Sequence, residues 1–287
     1  MERKTCFVDL RHMKFRIRVQ VRAELFSIVS SASIAAEVSR RAKLNKKMRF
    51  LTALPVYNEE KYLDSVLPQV AAYSQDVLVV DDGSKDRTPE ILARHNSIRT
   101  IRHPQNRGYG AGLVTAFQAA VEGGYDALVT IDCDGQHEPH LIPALIKMLE
   151  DCDIVSGSRY LDTYDPSAPP PEDRRRINMT VLGWLRDELG LKLTDGFCGF
   201  KAYRTNILSQ FKIVDLGYAM PLEVWVQAVE HQMKIHEMAV PLIYLDENRS
   251  FGGSLDDSNF RLKHYRSVFD AALARSDLGK PKRSQGL

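Results

Sequence analysis

Short apolar runs, each separated from the next by a helix-length segment, constrain this chain more than any other feature. Residues 49–55 (RFLTALP), 76–80 (DVLVV) and 127–131 (ALVTI) read as buried strands, and shorter runs at 98–101 and 153–156 keep the rhythm. The intervening segments 59–73, 108–122 and 139–149 have helical spacing, with Leu63, Val66, Leu67 and Val70 on one face. A further helix follows Ser84, which can cap it, and carries Pro89 in its first turn. Apolar strands alternating with helices predict an α/β fold: a mostly parallel, Rossmann-like sheet with helices on both faces. In such sheets ligands bind outside the carboxyl ends of the strands. The polar signatures fall there: Asn58, Asp81-Asp82, Asp132 to Asp134, and Ser158-Arg159.

The pattern changes after residue 160. Residues 162–173 (DTYDPSAPPPED) read as an acidic, proline-rich loop, long enough for an active-site flap. A helix is expected over 174–189, strands over 200–203 and 237–244, and a helix over 222–231 between them. A final amphipathic helix (about 255–275) precedes a polar tail, 276–287. Charge divides the chain as well: residues 1–49 hold 13 Lys and Arg against 4 Asp and Glu, the remainder 26 against 33. Residues 1–47 are therefore a basic extension, either a membrane-surface arm or sequence upstream of a start at Met48. The apolar stretch 25–36 follows too long a basic region, and lies between Glu24 and Glu37, to be expected as a secretion leader. With 44% hydrophobic and 26% charged residues, wholesale disorder is excluded. No apolar run approaches the roughly 20 residues of a bilayer span. Cys6, Cys133, Cys152 and Cys198 lie far apart, which argues against a disulfide scaffold or structural zinc and fits a reducing, cytoplasmic setting.

The strand ends carry the chemistry. Asp132-x-Asp134 ends a buried run, where two carboxylates can converge on a divalent cation. Mg²⁺ and Mn²⁺ take oxygen ligands and bridge carboxylate to phosphate, and Gln136 can add a neutral oxygen. Asp81 and Asp82 can accept hydrogen bonds from a base or ribose, and Arg159 can neutralise a phosphate. A P-loop is absent, and Gly108-x-Gly110-x-Gly112 lacks the dinucleotide spacing.

These segments resemble family 2 glycosyltransferases of GT-A fold, most closely the dolichyl- or polyprenyl-phosphate mannosyl- and glucosyltransferase branch. The resemblance rests on Pro55-Val56-Tyr57-Asn58-Glu59-Glu60, Val80-Asp81-Asp82-Gly83-Ser84-Lys85-Asp86-Arg87-Thr88 and Asn106-Arg107-Gly108-Tyr109-Gly110-Ala111-Gly112. It continues through Asp132-Cys133-Asp134-Gly135-Gln136-His137, Gly157-Ser158-Arg159-Tyr160 and Gly196-Phe197-x-Gly199-Phe200, covering residues 48–255. It implies a hexosyltransferase in which Pro55, Tyr57, Glu59 and Asp82 line the nucleobase and ribose pocket. Asp132 then lies beside a GDP- or UDP-hexose, and Asp134 and Gln136 hold the metal on its diphosphate. Arg249, in Asn248-Arg249-Ser250-Phe251-Gly252-Gly253-Ser254, contacts phosphate in the same reading. A metal and arginines stabilise the charge that develops on the leaving diphosphate.

The acceptor decides whether a base is needed. A lipid phosphate is already an anion, whereas a saccharide hydroxyl needs a base. Asp195 stands where hydroxyl-directed relatives place theirs. The favoured reading is inverting transfer to a polyprenyl phosphate at a membrane surface, with no nucleic-acid partner. The alternatives are transfer to a saccharide hydroxyl with Asp195 as base, or a non-catalytic nucleotide-sugar or membrane-binding module. Two departures bear on the lipid-phosphate reading: Leu255 stands where the family often has Lys, and no C-terminal membrane helix follows, so a lipid acceptor requires peripheral binding or a membrane partner. Other features have plainer readings. Cys133 is expected as buried filler, His140 as a first-turn residue, and Trp184 and Trp225 as core. Arg174 to Arg176 are either a solvated helix start or a phosphate clamp. Glu223 resembles a family acidic residue on the acceptor side, or is a helix N-terminal carboxylate.

Overall fold

A computed structural model of the chain describes residues 48–162, 169–243 and 253–279. The extension 1–47, most of the tail 276–287, and Arg249 lie outside the described residues.

Seven strands form one sheet in the order β3-β2-β1-β4-β6-β5-β7. They are β1 (Phe50–Val56), β2 (Asp76–Asp81), β3 (Arg99–Arg102), β4 (Ala127–Thr130), β5 (Ile154–Ser158), β6 (Lys201–Arg204) and β7 (Ile235–Ala239). β1 pairs in parallel with β2 and β4, β2 with β3, and β5 with β7. β6 runs antiparallel between β4 and β5. The helices are α1 (Leu63–Tyr73), α2 (Thr88–Leu92), α3 (Tyr109–Glu122), α4 (Ile142–Met148), α5 (Glu172–Leu189), α6 (Thr205–Leu208), α7 (Met220–Glu230) and α8 (Ser258–Arg275).

The period of two along the strands divides the core. In β1, Leu51 and Ala53 face one hydrophobic cluster, while Phe50, Leu54 and Val56 face the other. The first cluster takes Phe117 of α3, Val181 of α5, Trp225 of α7 and Phe269 of α8; the second takes Leu67 of α1, Ile91 of α2 and Ile142 of α4. Both faces of the sheet are therefore covered, as the apolar runs require.

The sheet grows from β1 in two directions, so a crevice opens at the β1–β4 boundary beyond their carboxyl ends. Pro55 marks this boundary. Ala53 O accepts from Ile131 N and Val56 O from Asp82 N, so the missing N–H of Pro55 lies on the β4 side, past the last β1–β4 pair. No ladder bond is lost. Local expectations shift: the strand expected over 237–244 is Ile235–Ala239, and the helix expected from 174 starts at Glu172. α1 starts at Leu63, leaving Glu59 in the loop. The expected helix 139–149 opens as a 3₁₀ turn, Pro139–Leu141. Ser84 does not cap α2, because its hydroxyl is taken by another loop.

Candidate active site at the carboxyl edge of the sheet

The loops leaving β1 and β2 are bonded to each other. Asn58, at φ 57°, donates its N–H to Ser84 Oγ (2.9 Å) and accepts from Lys85 N (2.8 Å). Glu59 N donates to Thr88 Oγ1 (2.8 Å), Glu60 N to Asp86 Oδ2 (3.0 Å), and Arg87 N returns to Glu60 Oε2 (2.9 Å). Asp81 is buried, accepting from Ser84 N (2.8 Å) and lying 3.1 Å from Arg102 Nε. Asp82 turns to the return loop: its carboxylate accepts from Arg107 N (3.0 Å) and Gly108 N (2.7 Å) and pairs with His103 Nδ1 (2.6 Å). Gly83 (φ 74°) has no room for a Cβ, which would stand 2.5 Å from the Gln105 carbonyl carbon. Tyr57 is exposed beside this platform.

After β4 the chain turns through Asp132 to His137. Asp134, buried, accepts from Gln136 N (3.0 Å). Asp132 Oδ1 accepts from the Tyr109 hydroxyl (3.0 Å), and His137 Nε2 lies 3.6 Å from its Oδ2. Gly199, whose carbonyl accepts from Thr130 Oγ1 (2.8 Å), underlies this carboxylate so closely that a Cβ there would collide with it. Burial, then the Asp132 charge, raises the Tyr109 pKa well above its usual value, so the phenol stays protonated. Among the described residues no group of three or more His, Cys, Asp or Glu is arranged to hold a metal by itself. The turn does offer hard oxygen donors, the type Mg²⁺ or Mn²⁺ combines with phosphate oxygens and water.

After β5, Arg159 Nε and Nη2 donate to Asp195 Oδ2 (2.7 Å) and Oδ1 (3.0 Å). Asp195 also accepts from Arg159 N, Phe197 N and Cys198 N, and its side chain is 0% exposed. Burial alone would raise its pKa, but the Arg159 charge and these hydrogen bonds prevail and hold it below 3.8. Its loop is gripped from two elements. Asn178 of α5 accepts from Gly196 N (3.0 Å), and Glu237 of β7 accepts from Thr194 N (2.9 Å) and Asp195 N (3.1 Å). Burial, opposed by these amides, raises the Glu237 pKa. Beneath lies buried Lys201, bonded to Cys198 O and 5.4 Å from the Trp225 ring centroid.

The profile of glycosyl transferase family 2 matches residues 52–211, which contain all these loops. The chain belongs to this family. An undecaprenyl-phosphate mannosyltransferase of Micrococcus luteus is 31% identical over 225 residues, 74% of this chain and 91% of the relative. A polyprenol monophosphomannose synthase of Mycolicibacterium smegmatis is 28% identical over 235 residues, 77% of this chain and 86% of the relative. Both names fall in the branch that the sequence resembles. In fold, the chain is similar to glucosyl-3-phosphoglycerate synthase from Mycobacterium tuberculosis, solved in complex with Mg²⁺ and UDP. That likeness has a TM-score of 0.62 and 23% identity, over 86% of this chain and 84% of the other. The architecture is GT-A.

In this family 2 glycosyltransferase, Pro55, Tyr57, Glu59, Asp132, Asp134, Gln136, Arg159 and Asp195 all come from loops or strand ends at one sheet edge. Three of the expected site side chains have protein partners that the sequence does not announce. Asp82 serves the backbone of the return loop, Asp195 is locked into an ion pair, and Arg159 is its partner. Glu223 is buried, accepting from Val214 N and Asp215 N (both 2.8 Å) and bonded to Arg275. Trp225 is core, its indole donating to Gly196 O (3.0 Å); Trp184 is half-buried against Phe269. Arg176 reaches Ser258 Oγ (2.8 Å) from an exposed position. Sequence reasoning missed Tyr109, Asn178 and Glu237. Tyr109 stood inside a quoted segment, while Asn178 and Glu237 carry no sequence signal, since their partners lie far along the chain.

Proposed function

We propose that this glycosyltransferase moves a hexose from a GDP- or UDP-sugar to a polyprenyl or dolichyl phosphate, inverting the anomeric centre. The observation that carries this choice is the state of Asp195: fully buried, ion-paired to Arg159 and held below the usual carboxylate range. Such a group is a poor base for a saccharide hydroxyl. A lipid phosphate, with a second pKa of about 6, is already the nucleophile. The names of the Micrococcus and Mycolicibacterium relatives support the same acceptor class.

A phosphate oxygen of the acceptor forms the new bond to the anomeric carbon while the bond to the donor's diphosphate breaks. The electron pair leaves on the nucleoside diphosphate. Tyr57 and Pro55 line the base side of the crevice, with Glu59 behind them on the bonded loop platform. Asp132 orients the donor, and Asp134 with Gln136 and Asp132 would hold Mg²⁺ or Mn²⁺. Bound there, the cation supplies positive charge opposite the leaving diphosphate. Arg159 is held by Asp195 at the end of β5, where its guanidinium can donate to a phosphate, and Arg249 is assigned to phosphate contact. No described helix is long and apolar enough to cross a membrane. The basic residues 1–47 carry charge suited to an anionic membrane surface, where the lipid acceptor is met.

A thermal-shift panel of GDP-mannose, UDP-glucose and free nucleotides, each with Mn²⁺ or EDTA, tests the donor half. A ligand at 100 times its Kd adds roughly 2.7 kcal/mol of stability. The expected result is a metal-dependent shift with one base; equal shifts in Mn²⁺ and EDTA would remove the metal assignment, and no shift would count against the donor assignment.

A further inference from the structure

Tyr109 is held more tightly than a helix-opening residue requires. Its ring stacks on Tyr218, with centroids 5.5 Å apart and planes 13° from parallel. The glycines on either side admit the segment that carries Tyr218. A Cβ on Gly108 would collide with Leu216 O, and one on Gly110 would stand 2.9 Å from the Leu216 carbonyl carbon. Ala111 N also donates to Leu216 O (3.2 Å). Thus the ring has its position set from α3 and from the strap before α7 at once. Its hydroxyl spans to β4's carboxyl end and donates to Asp132 Oδ1 at 3.0 Å. Asp132 cannot retreat, because Gly199 closes its other side.

We propose that Tyr109 is a positioning residue of the transfer reaction: the Tyr218 stack fixes the phenol, and the phenol fixes the orientation of the Asp132 carboxylate toward the donor. This rests on the assignment of Asp132 to the donor site. A hydrogen bond to a charged acceptor is worth enough to hold one rotamer over its alternatives. The core role of the ring and the positioning role of the hydroxyl are separable, since phenylalanine keeps the first and removes the second.

The test is a double-mutant cycle of Tyr109→Phe and Asp132→Asn in the full chain. Initial rates use radiolabelled GDP-mannose and UDP-glucose as donor probes, undecaprenyl phosphate as acceptor and Mn²⁺, with melting temperature and nucleotide-sugar Kd measured alongside. Tyr109→Phe is expected to lower kcat about tenfold while leaving donor Kd near wild type and the protein folded, with a modest fall in melting temperature. The double variant is expected to be no worse than Asp132→Asn, because the hydroxyl acts through that carboxylate. Tyr218→Leu, which keeps the hydroxyl and loses the stack, is expected to show the same kcat defect in weaker form. Wild-type turnover in Tyr109→Phe, or additive losses in the double variant, would overturn the proposal while leaving the donor site standing. Should Tyr109→Phe unfold early, Tyr218→Leu decides alone: unchanged kcat overturns the proposal. Wild-type turnover in Asp132→Asn would overturn the donor-site assignment itself, and this inference with it.

Discussion

Five hydrogen bonds converge on the Asp195 carboxylate, three from Arg159 and two from the backbone amides of Phe197 and Cys198. A carboxylate whose folded pKa is depressed stabilises the fold above its unfolded pKa, and loses that contribution as pH falls through the folded value. Removing one member of a buried pair costs about 3–5 kcal/mol. Asp195→Asn is therefore expected to melt well below wild type at pH 7. The gap should narrow as pH falls below about 4; a gap that does not change with pH contradicts the assigned ion pair. Glu237, pushed up by burial, tilts the profile the other way in both proteins, so the comparison is between variants rather than within wild type. Gly199→Ala is a second residue-scale prediction. The added methyl meets the Asp132 carboxylate, so overpacking should cost about 1–3 kcal/mol and displace Asp132, lowering kcat more than donor affinity. Unchanged kcat in a folded Gly199→Ala protein would contradict the close approach. The identity of these residues was legible in the sequence, but their partners were not. Asp82 reads as lining a base and ribose pocket, and its bonds to the Arg107 and Gly108 amides, some 25 residues on, carry no sequence signal. Asp195 is ambiguous in sequence, a base only if the acceptor is a hydroxyl, and its pairing with Arg159 could not be read from the chain.

The platform after β1 and β2 is two loops joined by side chain to backbone bonds, and its stability belongs to neither loop alone. Ser84→Ala leaves Asn58 N without its acceptor and is expected to cost about 1 kcal/mol in denaturant unfolding. The same variant should lose nucleotide-dependent thermal stabilisation out of proportion to that cost, because Asn58 holds an unusual φ of 57° between Tyr57 and Glu59. Unaltered nucleotide stabilisation would show that the loop bond is merely structural. At this scale β1, β2 and β4 could be read from the chain because each apolar run stops at polar residues with a separate task. β6 could not: whether Lys201–Arg204 pairs parallel or antiparallel depends on partners at positions 127–130 and 154–156, which no local pattern encodes. The antiparallel course matters to the site, since it returns Gly199 to the edge where Asp132 lies. Ser84 was misread for a related reason, its hydroxyl preferring a long-range amide to the start of α2.

Across the whole molecule, the sheet's reversal at β1 and β4 sets the place of chemistry, and the loops set its kind. The family match and the GT-A architecture fix a glycosyltransferase; the proposed lipid-phosphate acceptor rests on the buried Asp195 carboxylate and its ion pair with Arg159. A lipid acceptor adds a physical requirement, contact with a bilayer. The full chain is expected to sediment with anionic vesicles at low salt and to be released as salt screens the basic residues 1–47. Absence of binding at low salt would contradict that arm's role. The most direct measurement is transfer of radiolabel from GDP-mannose and UDP-glucose, with Mn²⁺, to three acceptors: undecaprenyl phosphate, the same lipid as its free alcohol, and a saccharide. Labelled lipid from the phosphate alone is the predicted result. Label on the saccharide, with none on the lipid phosphate, would contradict the account and return Asp195 to the role of base.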